Sequence, residues 1–307
     1  MNNATLYALT VLIWGSTFFA IEFQLGVVAP EVSLFYRYAA ASVLLFGWSR
    51  IRGLSLRFSR REHVWFFMLG ILLFGINYIL VYQAQLHITS ALAAIAFSSL
   101  VWMNIINARL FFGARARRGT LFGALLGVIG MFYLFAPQIR EVSFTDTVFF
   151  GFFLAIVSAL VASFGNMVSQ ATQRAKLPVV QTNAWGMFYG TLFIAAYSLA
   201  SGHEFTFEWS ASYVISLAYL AVFGSVIAFG TYLTLLGRIG AAKAGYAMVM
   251  FPVVALILSM LFEGLEITAT TILGTLFVIA GNGFVLYTRQ PAPKSLECSE
   301  AHLNRSH

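Results

Sequence analysis

The sequence predicts an all-α integral membrane protein: ten transmembrane helices arranged as two inverted five-helix repeats. Three observations predict it: an apolar composition, ten apolar runs of bilayer length, and a strong sidedness of Lys and Arg. Of 307 residues, 60% are hydrophobic and 9% are charged, and the mean hydropathy is +0.84. Soluble domains carry about 25% charged residues, so a water-soluble fold of this size could not cover so much apolar surface. That excludes a soluble enzyme, a disordered chain and a nucleic-acid binder. The net charge of +7 fits basic loops at one membrane face better than a nucleic-acid surface. One cysteine, Cys298, excludes a disulfide framework and a Cys-based zinc site. No Gly-x4-Gly-Lys-Ser/Thr run is present, which excludes a P-loop ATPase within this polypeptide. No cofactor and no metal is expected.

A spanning helix needs roughly 20 apolar residues. The first run, about 5–26, has no positive charge before it and is long for a signal peptide, so it reads as a helix. The second, 32–51, follows Pro30, and the third, 63–85, follows the break from Arg57 to Glu62. The fourth, 88–112, is barely a turn away, which makes these two antiparallel neighbours. The fifth, 117–136, lies between Arg115–Arg118 and Pro137. Runs at 147–170, 181–201, 211–236, 241–262 and 268–288 follow, broken at Lys176–Pro178, Gly202–Glu204 and Gly240. The runs are near-continuous rather than alternating, which excludes a β-barrel. Residues 290–307 hold two prolines and scattered charges and read as a disordered cytoplasmic tail.

Sixteen of the 18 Lys and Arg residues fall in the even-numbered loops and the tail, on the side of both termini. Only Arg140 lies on the other side, and Arg37 lies inside the second run. This bias places both termini in the cytoplasm. Eight of the 11 acids lie near the opposite face.

An odd number of spans per repeat inverts the second half relative to the first. Residues 110–130 align without a gap on 261–281: Leu110, Phe111, Gly113, Thr120, Gly123 and Gly130 match Leu261, Phe262, Gly264, Thr271, Gly274 and Gly281. Pro30 and Pro178 mark the turn after the first helix of each half. The expected units are residues 1–140 and 141–289, followed by the tail. Inverted-repeat transporters bind solute near the bilayer midplane, where the halves meet.

Residues 237–268, GRIGAAKAGYAMVMFPVVALILSMLFEGLEIT, open on small residues, carry Pro252 in mid-helix and end on Glu263-Gly264. Together with WGSTFFAIE at 14–22, they resemble the EamA-type family of the drug/metabolite transporter superfamily. The likeness covers about residues 5–288. The first half departs from the family pattern, with Val101 where proline is frequent and Phe112 in place of the acid. Within the family the chain looks most like the YddG-type exporters of aromatic amino acids. The resemblance implies a bacterial inner-membrane exporter of small metabolites that is not an enzyme, with the lipid bilayer and a small-molecule solute as partners. Monomer and homodimer both remain open.

Ionisable residues inside a membrane are costly and so are functional candidates. Arg37 and Glu22 fall near one face of helices two and one. They either pair and fix the two helices, or meet the solute's carboxylate and gate the mouth. No Asp or Glu lies in the middle third of any run, so proton coupling has no obvious carrier and facilitation is expected. Tyr78, Tyr82 and Gln85 form an i, i+4, i+7 stripe, as do Thr10, Trp14 and Thr17. Ser98, Trp102 and Arg109 share a face of helix four, and Ser158, Ala162, Asn166 and Ser169 one of helix six. Buried Tyr hydroxyls and Trp N–H groups need partners. They either bond helices together or line a cavity that stacks an aromatic or apolar solute. The expected solute site, among helices 1–4 and 6–9, is Trp14, Tyr78, Tyr82, Ser98, Trp102, Asn166, Tyr246 and Met248. Pro252, Gly224 and Gly230 are hinge candidates. The glycines of helices five and ten read as packing or dimerisation contacts.

The charge bias makes a direct prediction. In a Cys298→Ser background, cysteines placed at Ser143 and Ser201 react with an impermeant thiol reagent added outside the cell. Labelling of both only after permeabilisation refutes the orientation.

Overall fold

A computed structural model describes residues 1–24, 26–88, 90–141, 145–262 and 268–287. Every regular element among them is a helix. Ten rods follow in chain order. The first five are α1 (Asn3–Glu22), α2 (Pro30–Ile51), α3 (Arg60–Gln85), α4 (Ser90–Ser98 and Leu100–Phe112) and α5 (Arg118–Leu134). The second five are α6 (Asp146–Arg174), α7 (Val179–Ala200), α8 (Ala211–Ile239), α9 (Ala241–Ala244 and Ala247–Phe262) and α10 (Ala269–Tyr287). A short helix, Ala136–Glu141, follows α5. They match the ten expected runs. By length and composition, α3, α6, α8, α10 and the Ile95–Phe112 part of α4 suffice to cross a bilayer. The expected tail, residues 290–307, and the Glu263-Gly264 pair lie outside the described residues.

Helix starts follow local chemistry. Asn2 caps α1, its Oδ1 accepting from the Thr5 amide at 2.8 Å. Ser59 and Glu62 form a reciprocal capping box at α3, at 3.3 and 2.5 Å. Pro30 opens α2 at its first position, where no amide donor is needed. Gly113 closes α4 at φ 63°, a left-handed conformation that favours glycine.

The outer surface of the bundle is apolar, and its mainly hydrophobic interior also holds polar side chains. Val43, Trp48, Phe149 and Ile215 are exposed, while Thr10, Asn104, Ser158 and Ser163 are fully buried. Lipid cannot satisfy a hydroxyl or an amide, so these groups turn inward and bond across helices. Ser158 Oγ reaches Asn77 Oδ1 at 2.8 Å, and Asn107 Nδ2 donates to Ser163 Oγ at 2.9 Å.

α5 lies along α10, and α2 along α7. α1 packs on α8 and α9; α6 packs on α3 and α4. α2 touches α8 as α7 touches α3. Exchanging each helix for the one five positions later therefore leaves this set of neighbours unchanged.

Glycine sets the closest of these approaches. A Cβ on Gly123 would lie 2.5 Å from the Gly281 carbonyl, and one on Gly130 2.8 Å from that of Gly274. The small residues of α5 and α10 thus serve packing within one chain. A Cβ on Gly70 of α3 would lie 2.5 Å from the Gly186 carbonyl of α7.

Two segments depart from the α-helical spacing expected of the apolar runs. Gly70–Ile76 in α3 and Leu220–Ile227 in α8 are π-helical. Each falls in the third rod of its half. An almost wholly apolar run reads alike at either helical period, so the sequence carried no sign of the wider turn.

Overpacking a close crossing costs about 1–3 kcal/mol. Gly123→Leu or Gly281→Leu should therefore lower the thermal unfolding midpoint of the detergent-solubilised protein. Gly47→Ala, where nothing lies within 4 Å of the new methyl group, should leave it unchanged. Equal midpoints for all three would refute the packing role.

Candidate solute site

A cavity of about 130 Å3 lies between the helices, with room for several waters or one small solute. Side chains of α1, α2, α3, α4, α6, α8 and α9 line it. Among the described residues α7 adds none; it packs behind, against α2 and α3. Seven of the cavity's 22 lining residues are aromatic: Trp14, Tyr78, Tyr82, Phe97, Phe229, Tyr232 and Phe251. The Trp14 ring centre lies 4.9 Å from Phe229, 5.1 Å from Tyr232 and 5.3 Å from Phe251. Edge-on contacts of this kind hold each ring at a fixed angle.

Arg37 is the charge in this wall, and it is 3% exposed. Its Nε donates to Ser225 Oγ at 2.8 Å and its Nη2 to the Gly224 carbonyl at 3.3 Å. Trp14 Nε1 donates to the same carbonyl at 3.1 Å. Both acceptor residues sit in the π-helical part of α8, where the wider turn presents backbone oxygen to side chains. The guanidinium carbon lies 5.5 Å from the Tyr38 ring centre and 5.4 Å from that of Tyr78, within cation–π reach. Nη1 has no hydrogen-bond partner. Among the described residues no carboxylate pairs with Arg37. The side chain of its expected partner, Glu22, lies outside the described residues.

Toward the end that carries the N-terminus, an amide network borders the cavity. Asn166 Nδ2 donates to Tyr232 Oη at 3.0 Å and to Asn104 Oδ1 at 3.2 Å. Asn104 Nδ2 donates in turn to the Ala241 carbonyl at 3.2 Å. Asn166 Oδ1 is left without a partner. In α9, Pro252 lacks the amide proton that would bond the Met248 carbonyl, and both residues line the cavity.

Of the sequence-derived candidates, Trp14, Tyr78, Tyr82, Asn166 and Met248 share this cavity with Arg37 and Pro252. Ser98, Trp102 and Tyr246 do not line it. Ser98 Oγ bonds back to the Ile95 carbonyl at 2.6 Å. α4 breaks at Ser99, so the face drawn through Ser98 and Trp102 does not continue straight, and Trp102 packs among α4, α5 and α9. Tyr246 follows the interruption in α9 and points to the α5–α10 crossing, donating to the Gly123 carbonyl at 3.0 Å beside Gly127 and Gly281. Of the hinge candidates, a Cβ on Gly224 would lie 3.0 Å from Thr17 Cγ2 and 3.2 Å from Arg37 Nη2, so glycine there admits the guanidinium. Gly230 faces open space.

Sequence reasoning missed Phe229 and Tyr232. The signal was present: Ser225, Phe229 and Tyr232 form the same i, i+4, i+7 stripe that singled out Tyr78 and Tyr82. Reading α8 through its glycines hid that face.

The model of the EamA-like transporter family matches this sequence twice, over residues 3–136 and 149–287. The chain belongs to the EamA-like transporter family. It is thus a multi-pass membrane protein of a transporter family. An E. coli K12 relative named an uncharacterized inner membrane transporter, YedA, is 28% identical over 82% of this chain and 80% of its own. The Bacillus subtilis uncharacterized transporter YoaV is 24% identical over 88% of this EamA-like chain and 91% of its own. Protein PagO of Salmonella typhimurium is 21% identical over 98% and 97%. A solved crystal structure, 16% identical, superposes with a TM-score of 0.76 over 93% of this chain and 96% of its own, which shows the shared fold.

Proposed function

We propose that this chain is a secondary carrier that exports small aromatic or other apolar amino acids by alternating access. The solute occupies the cavity between two inverted halves, residues 1–140 and 141–289. One observation carries the reading: a cavity lined by helices of both halves, with seven aromatic side chains and a single buried guanidinium in its wall. Rings supply stacking surface for an apolar body, and Arg37 supplies a site for a carboxylate. The exchange symmetry of helix neighbours and the two family matches support the division into halves. Halves of opposite orientation let like contacts close either end in turn around a fixed site. The Lys and Arg bias supports a bacterial inner-membrane location with both termini in the cytoplasm.

Transport is facilitative in this reading. Uphill movement needs a second bound species that biases the two states. The described residues of the cavity wall include no Asp, Glu or His to carry a proton. Solute then moves down its own gradient, outward when the cytoplasm is rich in it.

The purified protein in liposomes should equilibrate labelled tyrosine or tryptophan at the same rate with or without a pH gradient or membrane potential. Accumulation above equilibrium under an imposed proton gradient would make it a coupled drug/metabolite exporter instead. Absence of counterflow for any amino acid would remove the carrier reading and revive a membrane-embedded enzyme.

Side-chain placement gives a second test. Base–aromatic stacking is worth about 1–3 kcal/mol per contact, and the same scale applied to a solute ring predicts a roughly 5- to 150-fold loss of transport for Trp14→Ala or Tyr82→Ala. Trp102→Ala should change transport less than about twofold, since its ring packs outside the cavity wall. A loss at Trp102 equal to that at Trp14 would refute the cavity as the solute site.

A further inference from the structure

We propose that a groove on the outer surface between α3 and α7 binds one anionic phospholipid of the leaflet on the N-terminal side. Its phosphate sits at Arg60 and an acyl chain runs along Val64 and Phe67. The groove shares no lining residue with the solute cavity, and the proposal does not depend on which solute the chain carries.

Arg60, His63, Val64 and Phe67 of α3 line the groove together with Tyr189 of α7. The four α3 residues fall at i, i+3, i+4 and i+7, one face of a helix. Polarity falls along that face. A guanidinium opens the helix, an imidazole follows one turn on, and two apolar side chains come after it. At the α-helical rise, about 10 Å separates Arg60 from Phe67 along the axis. Val64 and Phe67 are each more than half exposed, on a surface that faces hydrocarbon. A phospholipid has the same order, a phosphate at the interface and then an apolar chain, so head and tail each meet a matching side chain.

The polar wall is held in place by its own contacts. The Tyr189 hydroxyl and His63 Nδ1 are hydrogen-bonded at 3.0 Å. The His63 ring centre lies 4.6 Å from that of Trp185, edge-on, and Trp185 stacks on Tyr189 at 29°. Trp185 Nε1 donates to the Leu56 carbonyl at 3.3 Å, which ties the segment before α3 to α7. Aromatic rings of this kind settle at headgroup level.

Charge complementarity selects an anion. Arg57, Arg60 and Arg61 are all exposed at this end of α3. The carboxylate next in sequence, Glu62, is turned to the Ser59 amide, and among the described residues none pairs with Arg60. Arg60 and Arg61 also lie in the first turn of α3, where the helix dipole favours an anion over a cation. Basic clusters beside a membrane span attract anionic headgroups. A free phosphate would meet Arg60 but gain nothing from Val64 and Phe67, so the occupant is the lipid.

The test is native mass spectrometry of the purified full chain in detergent, titrated with phosphatidylglycerol or with phosphatidylcholine of the same acyl chains. Wild type should retain one phosphatidylglycerol at least fivefold more tightly than phosphatidylcholine. Arg60→Gln should lower the phosphatidylglycerol affinity about fivefold, the effect of one basic residue near a charged membrane surface. Val64→Trp, which fills the groove and leaves every charge in place, should lower it at least as much. Arg115→Gln removes an equal charge from the connection between α4 and α5 and should change it less than twofold. All three substituted side chains are exposed, so the fold does not depend on them. Equal wild-type affinity for the two lipids would overturn the proposal. So would equal losses in Arg60→Gln and Arg115→Gln, which would reduce the attraction to diffuse charge, or an unchanged affinity in Val64→Trp. Displacement of the lipid by millimolar inorganic phosphate at constant ionic strength would overturn it in favour of a free-anion site.

Discussion

A guanidinium held inside a bundle whose outer surface is hydrocarbon-facing must be met by dipoles, and Arg37 finds them on α2, α3 and α8. Burial in a low dielectric costs several kcal/mol per ion unless hydrogen bonds replace water. The α8 π turn offers the Gly224 carbonyl and Ser225 Oγ, and α2 and α3 offer the Tyr38 and Tyr78 ring faces. α1 joins through Trp14, which donates to the same carbonyl. Glycine at 224 follows from this arrangement, since a Cβ there would crowd the guanidinium at 3.2 Å. The aromatic lining, the π turn and the glycine thus answer to one charge.

Around this centre the contacts differ in kind. α5 against α10 is glycine on glycine, with Tyr246 wedged between Gly127 and Gly281. Such a crossing has no slack and suits a rigid frame. The helices that wall the cavity pack through a shared aromatic and aliphatic core, and amide and hydroxyl bonds such as Thr10 Oγ1 to Thr231 Oγ1 at 3.0 Å and Asn166 to Tyr232 add to it. Bonds of this type within membranes average only about 0.6 kcal/mol, so a few can break together at small cost.

The fold was legible because composition forces it: runs of bilayer length, punctuated by Pro30, Gly113 and Gly240, leave little freedom in where helices start and stop. The candidate site was half legible. Stripes at helical spacing found Trp14, Tyr78, Tyr82 and Asn166 because α1, α3 beyond its π turn, and α6 run regularly through them. Trp102, on the stripe drawn through Ser98, and Tyr246, chosen from helix nine as the repeat partner of helix four, lie just past interruptions in α4 and α9 and do not line the cavity. Arg37 stood out as a charge inside an apolar run, but its partners did not. They lie 187 and 188 residues away, and one is a backbone carbonyl with no sequence signature.

Beyond the cavity wall, helices are bonded by different chemistry toward the two ends of the bundle. Toward the N-terminus, Gln170 Oε1 accepts from the Ala241 amide at 3.3 Å and Gln173 Nε2 donates to the Leu233 carbonyl at 2.8 Å, beside the Asn104–Asn166 pair. Toward the other end, buried Glu31 in the first turn of α2 accepts from Gln83 Nε2 at 2.7 Å and lies 3.7 Å from His203 Nε2. Neutral amides bond without a net charge to resolvate, so parting them costs less than stranding an ion in low dielectric. Glu31 also keeps its favourable place at the positive end of the α2 dipole whether or not Gln83 stays with it. The amide contacts near Ala241 can therefore part without stranding an ion, whereas Glu31 and Arg37 each need their partners, and Arg37 is tied to the α8 π turn. In an alternating carrier this makes α2 and α8 a natural unit that stays together while α4 and α9 part from α6 and α8.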